Sequence, residues 1–245
     1  MKNDFLVLKF GSELVIDSDK IRQYAGGICK TYQHYSLIIV TSGAVAAGRK
    51  RLKAKNINIT EYDDATLAQL GSASIMRDWE QAFDLQDFTA GGLLVTHHEI
   101  QSLSEGRNFL QTLKLAQKQR VISIINENDA LSDTELIELA YGGDNDGLAS
   151  HIARSISAKE LIIFTKNGGV LNQDNELIHM VNDSNINHIK EMLSRRMNDD
   201  KSIGRGGIYK KTEAAWEAAL SGIRTKIAAV NDDMTGSMVT EFVVG

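Results

Sequence analysis

Short apolar runs alternate along this chain with longer stretches in which apolar residues recur every three or four positions. Residues 5–10, 36–41, 91–96, 120–126 and 160–165 are each apolar-rich, β-branched and bounded by turn formers, which predicts buried strands. Between them, residues 19–35, 65–83 and 105–119 carry the helical spacing, although Leu67, Leu70, Ser74, Trp79 and Phe83 do not all fall on one stripe. Residues 207–220 read as a further helix, 224–230 as a strand and 237–244 as a final edge strand. The polar stretch 182–205 reads as the most mobile part of the chain. Such alternation predicts an α/β fold with a mostly parallel central sheet covered on both faces. There is no internal repeat, and composition does not shift near Glu160, so one domain with two lobes is expected.

Composition narrows the classes. Hydrophobic residues at 42% and charged residues at 24% of 245 exclude disorder and low-complexity scaffolds. The one cysteine, Cys29, excludes a disulfide framework and any multi-cysteine metal site. Twenty-seven basic against 32 acidic residues give a net charge of −5, which suggests neither general nucleic-acid affinity nor attraction to anionic membranes. The run Phe5-Leu6-Val7-Leu8 is too short for a signal-peptide core, and no window reaches the ~18 apolar residues of a membrane span. A cytoplasmic protein is expected.

In open α/β sheets, ligands sit beyond the carboxyl ends of strands. The stretches there are Lys9-Phe10-Gly11-Ser12, Thr41-Ser42-Gly43-Ala44, Asn126-Glu127-Asn128-Asp129 and Thr165-Lys166-Asn167-Gly168-Gly169. Two more, Gly142-Gly143-Asp144-Asn145-Asp146 and Gly204-Arg205-Gly206-Gly207, precede predicted helices. All six are small or polar and are expected on one rim. The segment from Gly43 to Lys50 nearly fits a phosphate-binding loop, but that motif needs lysine where Arg49 stands and a hydroxyl where Lys50 stands. No dinucleotide fingerprint follows a strand.

Lys9 closes the first strand, Lys211 lies one turn inside a helix introduced by glycines, and Asp146 opens another helix. Two ammonium groups organised by a carboxylate would clamp a transferring phosphoryl group. Each also has a plainer reading: a lysine meeting solvent, aspartates capping a helix, glycines making a turn, and an Asx turn at Asn126–Asp129. His97-His98 lacks helical metal-ligand spacing, and no metal-ligating set is expected. Cys29, Trp79 and Trp216 read as packing residues.

The strings Val40-Thr41-Ser42-Gly43-Ala44-Val45-Ala46-Ala47-Gly48-Arg49, Ile125-Asn126-Glu127-Asn128-Asp129-Ala130 and Gly143-Asp144-Asn145-Asp146 resemble the glutamate 5-kinase branch of the amino acid kinase family. The resemblance runs in order from Phe5 to about Val230. Acetylglutamate and uridylate kinases share the lysines but carry glycine triplets where this chain has Thr41-Ser42-Gly43. It implies an αβα sandwich, with the amino acid held by a lobe of about residues 1–158 and ATP by a lobe of about 159–245. The implied reaction phosphorylates the glutamate side-chain carboxylate at the first step of proline synthesis, with ATP and Mg²⁺. Lys9, Lys211 and Asp146 match catalytic positions. Ser42, Gly43, Asn126, Asp129, Asp144 and Asn145 match substrate-binding positions. Lys9, Gly11, Ser12, Thr165, Lys166, Asn167, Arg205, Gly206, Gly207 and Lys211 match nucleotide-binding positions.

The resemblance further implies a homo-oligomer, a glutamyl phosphate reductase as possible partner, and, with the chain ending at Gly245, the short form without a PUA domain. There are two departures. Lys166 stands where the family usually carries aspartate, as it also does in uridylate kinases. Gly204-Arg205-Gly206-Gly207-Ile208-Tyr209-Lys210-Lys211 replaces the usual Gly-Thr-Gly-Gly-Met-Ser-Thr-Lys, exchanging hydroxyls for positive charge. Another small carboxylate or phosphate as acceptor, or a non-catalytic nucleotide- or amino-acid-binding regulator, are the alternative readings.

Overall fold

The computed structural model describes residues 4–131, 145–199 and 207–245. Its first half runs β1 (Phe5–Phe10), α1 (Ser12–Val15), α2 (Ser18–Tyr32), β2 (Ser36–Thr41), α3 (Ala44–Ala54), α4 (Asp64–Asp84), β3 (Ala90–Val95), α5 (His97–Gln101), α6 (Glu105–Lys118) and β4 (Ile122–Glu127). After the undescribed stretch come α7 (Asn145–Ser155), β5 (Glu160–Thr165), β6 (Met180–Val181), α8 (Ile186–Asp199), α9 (Ile208–Leu220), β7 (Arg224–Ala229) and β8 (Ser237–Phe242).

The strands form one eight-stranded sheet in the order β3-β4-β2-β1-β5-β7-β8-β6. All neighbours are parallel except β7 and β8. Side chains alternate across β1 with the two-residue period of a strand. Leu6, Leu8 and Phe10 pack with Ile21 and Ile28 of α2 and Trp79 and Phe83 of α4. Phe5 and Val7 pack on the opposite face with Leu148 and Ile152 of α7, Leu193 of α8 and Ala215 of α9. Burying each large apolar side chain contributes about 1.5–3 kcal/mol, so both faces of the sheet are strongly tied to their helices. The expected α/β sandwich is the observed architecture. No described helix is long and apolar enough to cross a membrane.

Several elements differ from expectation. The polar stretch 182–205 contains α8, because Ile186, Ile189, Met192 and Leu193 supply a buried helical stripe among polar neighbours. The last strand is not the edge, since β6 pairs outside β8. β3 is an edge strand and half-exposed rather than buried. On α4 the buried stripe is Leu67, Gly71, Ile75, Trp79 and Phe83, with Ser74 turned to solvent.

α3 was not expected as a helix. It lies directly against α4 at two glycines: a Cβ on Gly71 would stand 1.9 Å from the Ala44 carbonyl oxygen, and one on Gly48 2.0 Å from that of Leu67. Backbone meets backbone there, and this contact fixes where α3 begins.

Candidate active site

β1 lies between β2 on one side and β5 on the other, so the chain's direction of winding reverses at its carboxyl end. A crevice at such a point is where open α/β sheets take ligands. A cavity of ≈ 840 Å³ opens there, reached by residues from β1, β4, β5, α3, α7, α8 and α9.

At its base, Lys9 Nζ lies 2.6 Å from Asp146 Oδ1 and Lys211 Nζ lies 2.9 Å from Asp146 Oδ2. Strand alternation explains part of this: Lys9 points to the same face as Val7, toward α7 and α9. Asp146 opens α7 and Lys211 lies in the first turn of α9, so both helices present their amino-terminal ends here. Side-chain exposures of 4% for Lys9, 1% for Asp146 and 12% for Lys211 make this a nearly dry triad. Burial alone would raise the Asp146 carboxyl, but the two ammonium groups outweigh it and hold the carboxyl below its ordinary range. One negative and two positive charges leave the triad with a net charge of +1, facing a cavity. That is an electrostatic site for an anion.

One wall is built by the start of α3. Gly43 caps that helix with φ +104°, a left-handed conformation that favours glycine, and no side chain caps the first-turn N–H groups. Ala44, Val45 and Ala46 therefore bring backbone donors to the cavity beside Ser42. Opposite stand Asn145, Glu127 and Asp129. The Asn145 side-chain oxygen accepts from the Glu127 N–H at 3.1 Å. Glu127, with 2% side-chain exposure, has His97 Nε2 at 3.8 Å. Burial pushes the Asp129 carboxyl up to about 6, and the charges of Glu127 and Asp64 push the same way.

The other wall is the turn after β5 and the start of α9. Thr165 Oγ1 accepts from the Gly168 N–H at 2.8 Å and donates to the Gly168 carbonyl at 2.6 Å, which folds the turn back on itself. The Gly169 N–H bonds the Met238 carbonyl of β8 at 2.7 Å and anchors the turn to the sheet. Lys166 and Asn167 line the cavity from this turn. Gly207 caps α9 without a side-chain cap, giving a second helix amino terminus suited to an anion.

Of the residues singled out from sequence, Lys9, Gly11, Ser12, Ser42, Gly43, Asp129, Asn145, Asp146, Thr165, Lys166, Asn167, Gly207 and Lys211 all line this one cavity. Asp144, Arg205 and Gly206 lie outside the described residues. Asn126 does not reach the cavity. It is fully buried, on the face of β4 opposite Glu127, and its amide finds no hydrogen-bond partner among the described residues. Period-two alternation puts neighbouring strand residues on opposite faces, a signal that favoured Glu127 once the strand was extended to it. Thr41 likewise turns into the core, where its hydroxyl accepts from Trp79 Nε1 at 3.1 Å. Arg49, Arg196 and Glu13 also line the cavity. Their reach depends on helix packing, which no local pattern reveals.

Comparison with known proteins shows the family and the fold. The amino acid kinase family model matches residues 4–229. Glutamate 5-kinase of Pasteurella multocida (strain Pm70) is 32% identical over 243 residues, covering 92% of this chain and 63% of that protein. Glutamate 5-kinase of Haemophilus influenzae (strain PittGG) is 30% identical over 244 residues, covering 94% and 64%. The chain thus spans somewhat under two thirds of the length of these curated relatives. Among solved structures, carbamate kinase from Giardia lamblia bound to AMP-PNP superposes with a TM-score of 0.67 at 12% identity, covering 99% of both chains. N-acetylglutamate synthase from Neisseria gonorrhoeae, complexed with coenzyme A and N-acetyl-glutamate, gives 0.66 at 14% identity, covering 99% of this chain and 60% of that one. At such identities these structures speak for the fold alone.

Proposed function

This chain belongs to the amino acid kinase family, and from that premise we propose that it transfers the γ-phosphoryl group of ATP to the side-chain carboxylate of glutamate. The observation that carries the reading is the buried Lys9–Asp146–Lys211 triad at the base of the cavity. The names of the relatives support glutamate as the acceptor.

The nucleophile needs no activation. A glutamate side chain has an ordinary pKa of ~4.3 and is ionised at neutral pH, so no general base is required. A carboxylate oxygen bonds to the γ-phosphorus as the bond to the bridging oxygen of ADP breaks, giving glutamyl 5-phosphate and ADP. What opposes the step is the approach of one anion to another. Lys9 and Lys211 offset that charge, and Asp146 fixes their separation so that nothing need rearrange during transfer. Ser42, the start of α3 and Asn145 would hold the amino acid, and Asp129 with Glu127 its ammonium group. The 165–169 turn and the start of α9 would hold the nucleotide, with Lys166 adding charge where the family usually has aspartate.

Both oxygens of Asp146 are engaged by ammonium groups, which suits it to orienting them, and the donors around it suit anions. A magnesium ion would be carried by the phosphates of the nucleotide and would draw charge from them. The product is a labile acyl phosphate, which suits a glutamyl phosphate reductase as consumer and a place at the start of proline synthesis.

ADP release on adding glutamate, with aspartate and acetylglutamate as controls, tests the reading. Glutamate-dependent release with trapping of the acyl phosphate by hydroxylamine is the expected result. Release with a control instead would reassign the acceptor, and release with none would leave another small acceptor or a non-catalytic binding protein.

A further inference from the structure

Resting on the reading of the chain as a glutamate kinase, we propose that Arg49 binds the α-carboxylate of the acceptor and so determines preference for amino acids in which that group is free. Glutamate brings two carboxylates and one ammonium. The attacking carboxylate must lie against Lys9 and Lys211, and the ammonium is matched by Asp129 and Glu127. The remaining carboxylate needs a donor of its own.

Among the described residues, five cationic side chains line the cavity: Lys9, Arg49, Lys166, Arg196 and Lys211. Two of these hold Asp146. Lys166 projects from the turn after β5. Arg196 bonds the carbonyls of Leu171 and Asn172 on that same side. Arg49 alone comes from α3, the helix whose first turn forms the amino-acid wall. Its side chain lines the same cavity as Ser42, Gly43 and Asp129.

Its position is set from α4. Arg49 Nη2 lies 2.7 Å from Asp64 Oδ1, so one edge of the guanidinium is held by a carboxylate. A guanidinium carries five donors in a planar fork, enough to take a second carboxylate in two-point fashion. Asp64 is also close enough for its charge to act on Asp129. The α-ammonium and α-carboxylate of an amino acid share one carbon, so their binding groups must be neighbours. Arg49 and Asp129 meet that demand by lining one cavity, with Asp64 holding Arg49 in place. The same Arg49 that spoils a phosphate-loop motif in the sequence thus gains a reason to be arginine.

The test compares kcat/KM for glutamate with that for isoglutamine, which keeps the side-chain carboxylate but carries an amide in place of the α-carboxylate. In the wild-type chain glutamate is expected to be preferred by ~100-fold or more. Arg49→Gln should cut that preference to below ~10-fold, and Arg49→Lys, which keeps the charge but loses the fork, should fall between. The Arg49–Asp64 pair is exposed and contributes little to stability, so both variants should fold. If the preference survives Arg49→Gln intact, Arg49 does not bind the group and the N–H donors of α3 do. If the wild-type chain turns over neither compound, the kinase reading itself fails, and this assignment with it.

Discussion

Lys9 and Lys211 meet at opposite oxygens of one buried carboxylate, at 2.6 and 2.9 Å. One comes from the first strand and the other from α9, so the fold must be complete before the two ammonium groups are neighbours. Asp146 compensates them where all three side chains are largely buried, and removing it leaves two like charges buried side by side. Asp146→Asn is expected to lower stability by about 3–5 kcal/mol, measured by urea unfolding at pH 7. Glutamate-dependent ADP release should fall at least ~100-fold in the same variant.

The pH dependence of that loss has a definite sign. The Asp146 carboxyl is held below its unfolded value of ~3.9, so its contribution is present above that pH and disappears as pH falls through the lower, folded value. The stability gap between wild type and Asp146→Asn should hold from neutral pH to about 4 and narrow below it. A gap unchanged under strongly acidic conditions would contradict the arrangement.

Asp129 should behave in the opposite way. Its carboxyl is pushed up to about 6 in the folded chain by burial first and by Glu127 and Asp64 next. Between ~4 and 6 the folded chain keeps a proton that the unfolded chain has released, so stability falls as pH rises through that window and stays lower above it. Asp129→Asn should therefore be more stable than wild type at pH 8, by roughly 1–3 kcal/mol, and equal to it near pH 3.5. Thermal unfolding across the range checks this, and a difference independent of pH would contradict it.

Gly71 supports the site from a distance. A methyl group there would strike the Ala44 carbonyl at the start of α3. Gly71→Ala is expected to cost about 1–3 kcal/mol and to displace the wall formed by Gly43 and Ala44. The glutamate KM should rise by ~10-fold or more while the ATP KM changes little. Equal changes in both constants, measured by steady-state kinetics, would locate the damage elsewhere.

Much of the sheet could be read from the chain, because β1, β2 and β5 are six-residue strands with apolar centres, buried on both faces. α8 was hidden because Ile186, Ile189, Met192 and Leu193 are its buried apolar residues among polar neighbours. α3 was hidden for another reason: its contact with α4 is made by Gly48, not by a large apolar residue, so the hydrophobic stripe is weak. Lys9, Asp146 and Lys211 stood out through their positions at strand and helix ends. Arg49 and Arg196 did not, since long side chains are aimed by tertiary packing. The resemblance matched Asn126 and not Glu127, but adjacent strand residues face opposite ways, and Glu127 is the one that lines the cavity.

The most direct test of the triad as a phosphoryl-transfer centre is the steady-state kinetics of Lys211→Ala, with kcat separated from the glutamate KM. The ammonium acts mainly on charge that builds during transfer, so kcat should fall by ~100-fold or more while KM moves by less than about fivefold. Turnover at the wild-type rate in that variant would contradict the assignment.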